Sequence, residues 1–547
     1  MVNLWKSCPY QGDPPNPSTL TPSSNQMSDP TSLYDGSDRP PEAPGPEKTS
    51  PERTGNTTRV GRLGAERKHP DPGSKRAGRL TWLLLIPALA VVVSLQQCSV
   101  VSATQKAETN AQQIVPASRS STFGLLTRFT VRFHHLLNSI DEKEAEGALE
   151  NAGYLETMDS MAASPHEMLQ AAVVHGEIAG EQAALDQIDQ TIIELDTFGE
   201  LDPEYRAAIE KDARLLARIY RDQPLSDEDR SRLIDHHGWH GRLALTFGQD
   251  NDDPDRADLI GGGAVLMIGL LAFGLLVVLA LLAGLVLLII LIVKLGIGSL
   301  KLHFDAPAPG GSVYLETFAV FVASFLVLQV ISSLIEGKAP DWAHYSLQWL
   351  VLLSIFWPLL RGVSLKRWRQ DMGLVAPKGV IREIAAGLMV YLASLPIYFM
   401  AALGSFVLIN LREILLSSGA NEEGRAIEPP MSNPVFDMLE SNDILTMLVL
   451  GSLVTIWAPV VEEGIMRGAL YRHLRSRFGF VISAIVSAML FGALHQYDIL
   501  MLLPVMALGA SFAFIREWRG SLIGCITAHA IHNTTIFMLV AWLISAT

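Results

Sequence analysis

The sequence predicts an all-α protein: a multi-pass membrane helix bundle of about nine spans, with an inserted extracytoplasmic α-helical soluble domain and a disordered N-terminus. Three observations point there. Of 547 residues, 49% are hydrophobic and only 18% charged, apolar runs long enough to cross a bilayer crowd the second half, and the charge is segregated. Residues 104–258 carry 30 acidic against 14 basic side chains, a balance of −16 that exceeds the −14 of the whole chain. The remainder is therefore nearly neutral and holds the apolar excess. These figures exclude a single small soluble domain and a nucleic-acid binder working by overall charge, since phosphate contacts need a basic surface. Cys8, Cys98 and Cys525 lie in three different kinds of segment, so neither a disulfide framework nor a CxxC metal pair is available.

Residues 1–80 hold 13 of the 30 prolines among Ser, Gly and mixed charges, the composition of a disordered cytoplasmic tail. Lys75, Arg76 and Arg79 then precede an apolar stretch, 81–101, that reads as an uncleaved transmembrane anchor rather than a signal peptide, given its depth in the chain. Leu95-Gln-Gln-Cys98 is a poor lipoprotein box, with Gln before the cysteine. Residues 104–258 form the acidic helical domain: apolar residues recur three and four apart among Glu, Lys and Arg, without β alternation. Its histidines His134, His135, His236, His237 and His240 are read as surface residues rather than as a metal site. The glycines at 261–263 read as a hinge opening a long transmembrane helix, and 259–311 as that helix with its linker.

Further apolar runs at about 312–335, 342–360, 380–411, 444–466, 480–496, 499–515 and 520–545 complete the nine spans, 312–547 forming one module. Basic residues fall in alternate loops (Lys294 and Lys301; Arg361 to Lys378; Arg472 to Arg477; Arg516 and Arg519), whereas 412–443 holds seven acids against Arg412 and Arg425. With nine spans that bias places the N-terminus inside and 104–258 outside. The expected location is an integral one in a bacterial cytoplasmic membrane.

Ionisable groups in apolar helices are costly and so are functional candidates. They concentrate in the last spans. Glu463 and Arg467 stand four apart, so one carboxylate can be neutralised on the same helix face, leaving Glu462 without a local partner. Phe491 and His495, and His529 and Asn533, repeat the four-residue spacing on later helices, while His532 reads as structural. At ~1.5 Å per residue, Glu462, His495, His529 and Asn533 lie roughly 15 to 27 Å from the basic turns and can meet in one layer. Pro459, three residues before Glu462, is expected to kink its helix. A buried carboxylate beside a histidine can deprotonate water, and a second histidine with an Asn amide can stabilise an oxyanion, a set suited to acyl hydrolysis. Glu462, His495 and His529 could instead bind zinc, although the HExxH spacing is absent.

The elements Glu462-Glu463-x-x-x-Arg467, Phe491-x-x-x-His495 and His529-x-x-x-Asn533, in this order, resemble the signature of the CPBP family, which comprises CAAX prenyl endopeptidases, bacteriocin-processing proteins and Abi proteins. The resemblance covers about 440–545. It implies an intramembrane peptidase, of glutamate or metallo type, in which Glu462 activates water with His495 as partner, His529 and Asn533 form the oxyanion hole, and Glu463 and Arg467 support them. No cofactor is required on that reading; zinc is the alternative. Implied partners are membrane lipids and a peptide or membrane-protein substrate, CAAX-like or bacteriocin-type, with a protein partner for 104–258 and no nucleic acid. The competing expectation is a non-catalytic scaffold or receptor whose outer domain binds a partner. A proton-relaying transporter is a third, without the internal repeat such folds carry.

Overall fold

The computed structural model describes residues 69–110, 122–140, 153–198, 201–335, 338–417, 443–495 and 497–546. Residues 1–68, most of the expected tail, lie outside the described residues, as do 418–442 of the acidic loop. The described chain is helical, with one isolated β-bridge between Pro70 and Ala308.

Helix α1 (Lys75–Asn110) begins six residues before the expected anchor and continues past it without a break. The short strap before it, 69–74, is part of the packed structure. Its Pro72 carbonyl accepts from the backbone N–H groups of Ser312 and Val313 at 3.1 and 3.2 Å, and Ser74 N donates to Ser312 Oγ at 3.1 Å.

The soluble insert comprises α2 (Thr122–Ile140), α3 (Tyr154–Met161), α4 (Pro165–Ala179), α5 (Glu181–Glu194), α6 (Pro203–Tyr220), α7 (Asp227–His237), α8 (Trp239–Leu245) and α9 (Pro254–Ile260). Its helix starts are written in the sequence. Ser164, Asp202, Ser226 and Asp253 each accept a first-turn N–H, and three of them precede a proline at the first helical position, where its missing N–H costs nothing. Apolar faces close on a core that includes Val131, Leu169, Ile209, Leu216, Leu233 and Leu243.

The histidine-rich stretch departs from the expected surface position. Gly238 takes a left-handed turn (φ 55°), which swings His237, Trp239 and His240 into the core, and both histidines are fully buried. Asp212 accepts from Arg232 and His236 at 2.6 Å each, and His237 stacks on His166 at 4.4 Å. Burial pushes His166, His237 and His240 below the usual histidine value, and His134 down to about 4.

The insert returns to the membrane bundle through α10 (Gly263–Gly296). The glycines expected to act as a hinge instead make a turn and a close contact: Gly262 caps α10 at φ 82°, and a Cβ on Gly263 would stand 2.2 Å from the Arg132 carbonyl of α2. Then come α11 (Val313–Ile335), α12 (Asp341–Leu360, with a 3₁₀ stretch over Leu347–Phe356), α13 (Leu365–Met372), α14 (Val380–Ser417), α15 (Ile444–Arg475), α16 (Phe480–Ala493), α17 (Leu502–Arg519) and α18 (Ile523–Ala546).

Among the described residues eight helices are long and apolar enough to cross a membrane, not the nine expected. The run at 480–496 supplies only α16, whose 14 residues reach ~21 Å against a hydrocarbon core of ~30 Å. It stops early because the chain leaves the helix at Leu494 and His495, with Asp498 starting the next helical turn by accepting from Leu500 N. A multi-pass helical bundle with an inserted soluble region is therefore the fold.

Ion pairs tie one end of the bundle together. Arg519, closing α17, pairs through two nitrogens with Glu383 in the first turn of α14 at 2.7 and 2.8 Å, and Arg475 and Tyr471 of α15 converge on Glu517. An acid at a helix start and a base at a helix end each oppose the local dipole.

Candidate active site

The site is built on α15, which is not a uniform helix. Two stretches, Leu453–Trp457 and Gly464–Leu470, are wound as π-helix on either side of the α-helical Ala458–Glu463. Such segments often mark functional sites because their wider winding redirects side chains and releases backbone groups. The first is explained by Pro459. In the π register Ala458 N donates to Leu453 O, so the partner of the Val454 carbonyl would be residue 459, a proline with no N–H. Asn533 Nδ2 of α18 takes that carbonyl instead, at 3.0 Å. The expected kink at Pro459 is thus a change of helical register.

Glu463 and Arg467 are both fully buried. Arg467 Nη1 donates to Glu463 Oε1 at 2.9 Å, and its Nη2 donates to the Gly509 carbonyl of α17 at 2.8 Å. Its guanidinium lies 4.4 Å from the Phe491 ring centre and 5.3 Å from that of Phe512. Gly509 allows this close approach: a Cβ there would stand 3.1 Å from both Arg467 Nη2 and Phe491, tight enough that those side chains would have to give way slightly.

His529 joins the two carboxylates. Its Nδ1 donates to Glu463 Oε1 at 3.0 Å, which turns Nε2 towards Glu462 Oε2, 3.9 Å away. Phe512 stacks on the imidazole and Phe491 meets it edge-on, fixing its plane. The Glu462 side chain is 22% exposed. Its Oε2 is itself buried and makes no protein hydrogen bond, an unpaired polar atom of the site beside the His529 ring.

His495 turns back on its own helix, Nδ1 donating to the Phe491 carbonyl at 2.7 Å, which leaves Nε2 as the ring nitrogen open to the site. His529 Nε2 is the imidazole nitrogen that stands 3.9 Å from Glu462, and His495 opens on the same cavity. Of the expected oxyanion pair, His529 is held by Glu463, and Asn533 spends one of two amide hydrogens on Val454.

All four groups nonetheless open on one cavity of about 620 Å³, together with His532. Its other walls are mostly apolar, including Phe321, Phe325, Leu450, Trp457 and Phe537, with Val92 contributed by α1. His532, read as structural, lies 3.4 Å from the Tyr391 hydroxyl and packs edge-on against Tyr398. Phe512, Gly509 and Val92 escaped sequence reasoning, because nothing separates them from the other apolar positions of their helices.

Among the described residues no three His, Cys, Asp or Glu side chains gather as a metal would require, and Glu463 already engages His529.

Residues 444–535 match the family described as Type II CAAX prenyl endopeptidase Rce1-like. The matched part, which holds every element of the expected signature, links this segment to the CPBP and Abi superfamily and to peptidases at family level. No curated protein and no solved structure matches the chain.

Proposed function

We propose that the protein is an intramembrane endopeptidase that hydrolyses a peptide bond of a membrane-associated substrate by glutamate-activated water. The observation that carries this reading is the convergence of Glu462, His495, His529 and Asn533, from three separate helical regions, on one cavity inside an apolar bundle. The matched peptidase family supports the reaction class.

In this mechanism a water lies between Glu462 and the imidazoles of His529 and His495. Glu462 takes its proton as the oxygen attacks the carbonyl carbon, and the second amide hydrogen of Asn533 stabilises the oxyanion. The tetrahedral intermediate collapses as the proton held by Glu462 passes to the leaving amine. Glu463 and Arg467 orient His529 without touching substrate. The apolar walls suit a substrate embedded in or anchored to the membrane. We place the insert outside a bacterial cytoplasmic membrane and the N-terminus inside, on the loop charges.

The test is cleavage of a panel of membrane peptides, prenylated CAAX-type sequences included, by the full chain in lipid nanodiscs and by Glu462→Gln, each with and without chelator. General-base loss lowers turnover by about 10²- to 10⁴-fold. Equal turnover by the variant removes Glu462 from the mechanism, and chelator inactivation reversed by zinc replaces it with a metal-bound water. A wild type that cuts nothing on the panel favours the scaffold reading.

A further inference from the structure

Helix α15 is gripped within its second π-helical segment and again just beyond it, and the second grip comes from far outside the matched region. Within the segment, Arg467 is held by Glu463, Gly509 and Phe491. Beyond it, Arg472 donates Nε to Asp71 Oδ2 at 3.0 Å and Nη2 to Asp71 Oδ1 at 2.7 Å. Asp371 completes the cluster, 2.9 Å from Arg472 Nη2 while accepting from the Tyr314 hydroxyl at 2.8 Å and from Arg367 Nε at 3.2 Å. Two carboxylates thus face two guanidiniums. Asp71 is 7% exposed and sits on the strap pinned to Ser312 and Val313.

Winding explains what this grip does. A π-helical stretch turns less per residue than an α-helix and gives poorer hydrogen-bond geometry, so it lasts only where its surroundings hold it. Relaxation of Gly464–Leu470 to α-helix would rotate Arg472 relative to Glu462 and Glu463. With Arg472 clasped, that rotation is blocked.

We infer that Asp71 is a positioning residue for the proposed reaction: by clasping Arg472 from the strap before α1, it keeps 464–470 in π register and Glu462 aimed into the cavity. The strap also leads into the helix that supplies Val92 to the cavity wall, so the N-terminal anchor is a working part of the site. The kinetic half of this inference rests on the peptidase reading; the conformational half stands on the packing alone.

The experiment compares wild type, Asp71→Asn and Asp71→Glu as full chains in lipid nanodiscs, by hydrogen exchange and by peptide cleavage. Asp71→Asn is expected to speed exchange across 464–470 about tenfold or more while 165–245 of the insert, the internal reference for folding, is unchanged. Turnover is expected to fall about 10- to 100-fold with little change in KM, the signature of a misaimed group, and Asp71→Glu to recover most of it. Unchanged exchange at 464–470 overturns the inference whatever the activity does. Faster exchange with unchanged turnover overturns the positioning role. If exchange rises in the insert as well, Asp71→Asn has unfolded, and Asp71→Glu decides: wild-type exchange and turnover there support the clasp, faster exchange confined to 464–470 with lowered turnover also supports it, and exchange raised throughout overturns it. Failure of the peptidase reading looks different, with wild type and Glu462→Gln alike in turnover while exchange still reports the clasp.

Discussion

Replacing Arg467 with methionine probes the electrostatic centre of the site. The side chain is fully buried, with Nη1 2.9 Å from Glu463 Oε1, Nη2 2.8 Å from the Gly509 carbonyl and the guanidinium 4.4 Å from Phe491. Methionine keeps much of the stem's bulk but leaves the Glu463 carboxylate with His529 Nδ1, at 3.0 Å, in place of two donors. Stranding one member of a buried ion pair costs about 3 to 5 kcal/mol, and the lost contact with the ring adds about 1 to 2 before the surroundings relax. We expect a net loss of about 4 kcal/mol, or a fall in Tm on the order of 10 °C. The assay is thermal unfolding of the full chain in one detergent at fixed lipid content. Adding Glu463→Gln removes the stranded charge, so the double variant is expected to be about 2 kcal/mol more stable than Arg467→Met alone. A fall in Tm below about 2 °C, or a double variant worse than both singles together, would refute the pairing as the source of stability.

Asn533→Ala is expected to lower kcat by about 10²- to 10³-fold with KM little changed, because it removes an oxyanion donor; steady-state kinetics on any peptide the wild type cuts will show it. The insert is expected to lose stability in acid. Its buried histidines have folded values below the unfolded 6.5, so the unfolded chain takes up protons first and stability drains as pH falls below 6.5; His134, held down to about 4, alone accounts for about 3 kcal/mol by pH 4. For Asp212, burial would raise the carboxyl, but the His237 ring 3.5 Å away and hydrogen bonds from His236 and Arg232 bring it to about 2, so its contribution is lost only between 3.8 and about 2. Exchange protection in 165–245, corrected for the intrinsic slowing of amide exchange in acid, should therefore fall between pH 6.5 and 4, and a flat protection profile would contradict the burial of these rings. Gly263→Ala places a Cβ 2.2 Å from the Arg132 carbonyl and is expected to cost about 1 to 3 kcal/mol in the same unfolding assay.

The sequence made visible whatever depends on composition and on spacing within one helix. The acidic insert showed as a charge imbalance and a three-and-four apolar spacing, and the Glu463–Arg467 pair as a four-residue step. Relations between helices were harder to see. That His529 Nε2 comes within 3.9 Å of Glu462 Oε2 depends on Glu463 holding the other ring nitrogen, a choice among rotamers that spacing does not record. The length of α16 was overestimated because Leu494 is as apolar as what precedes it, and the helix ends for reasons that lie in the turn beyond. Asp71 was hidden most completely. In a Pro-rich stretch a lone aspartate looks solvated, and only the arrival of Arg472, 401 residues later, makes it buried.

Pro459 gives the bundle an unusual kind of joint. A helix normally consumes its own carbonyls, and a proline is counted as a flaw in that economy. Here the missing N–H exports one: Val454 has a free oxygen at a fixed depth, and a neighbouring helix carrying an amide at Asn533 docks on it. Register between α15 and α18 is thereby set by an atom that is absent. Restoring it with Pro459→Ala would give the carbonyl back to its own helix and set the Asn533 amide adrift, uncoupling two helices by mending one.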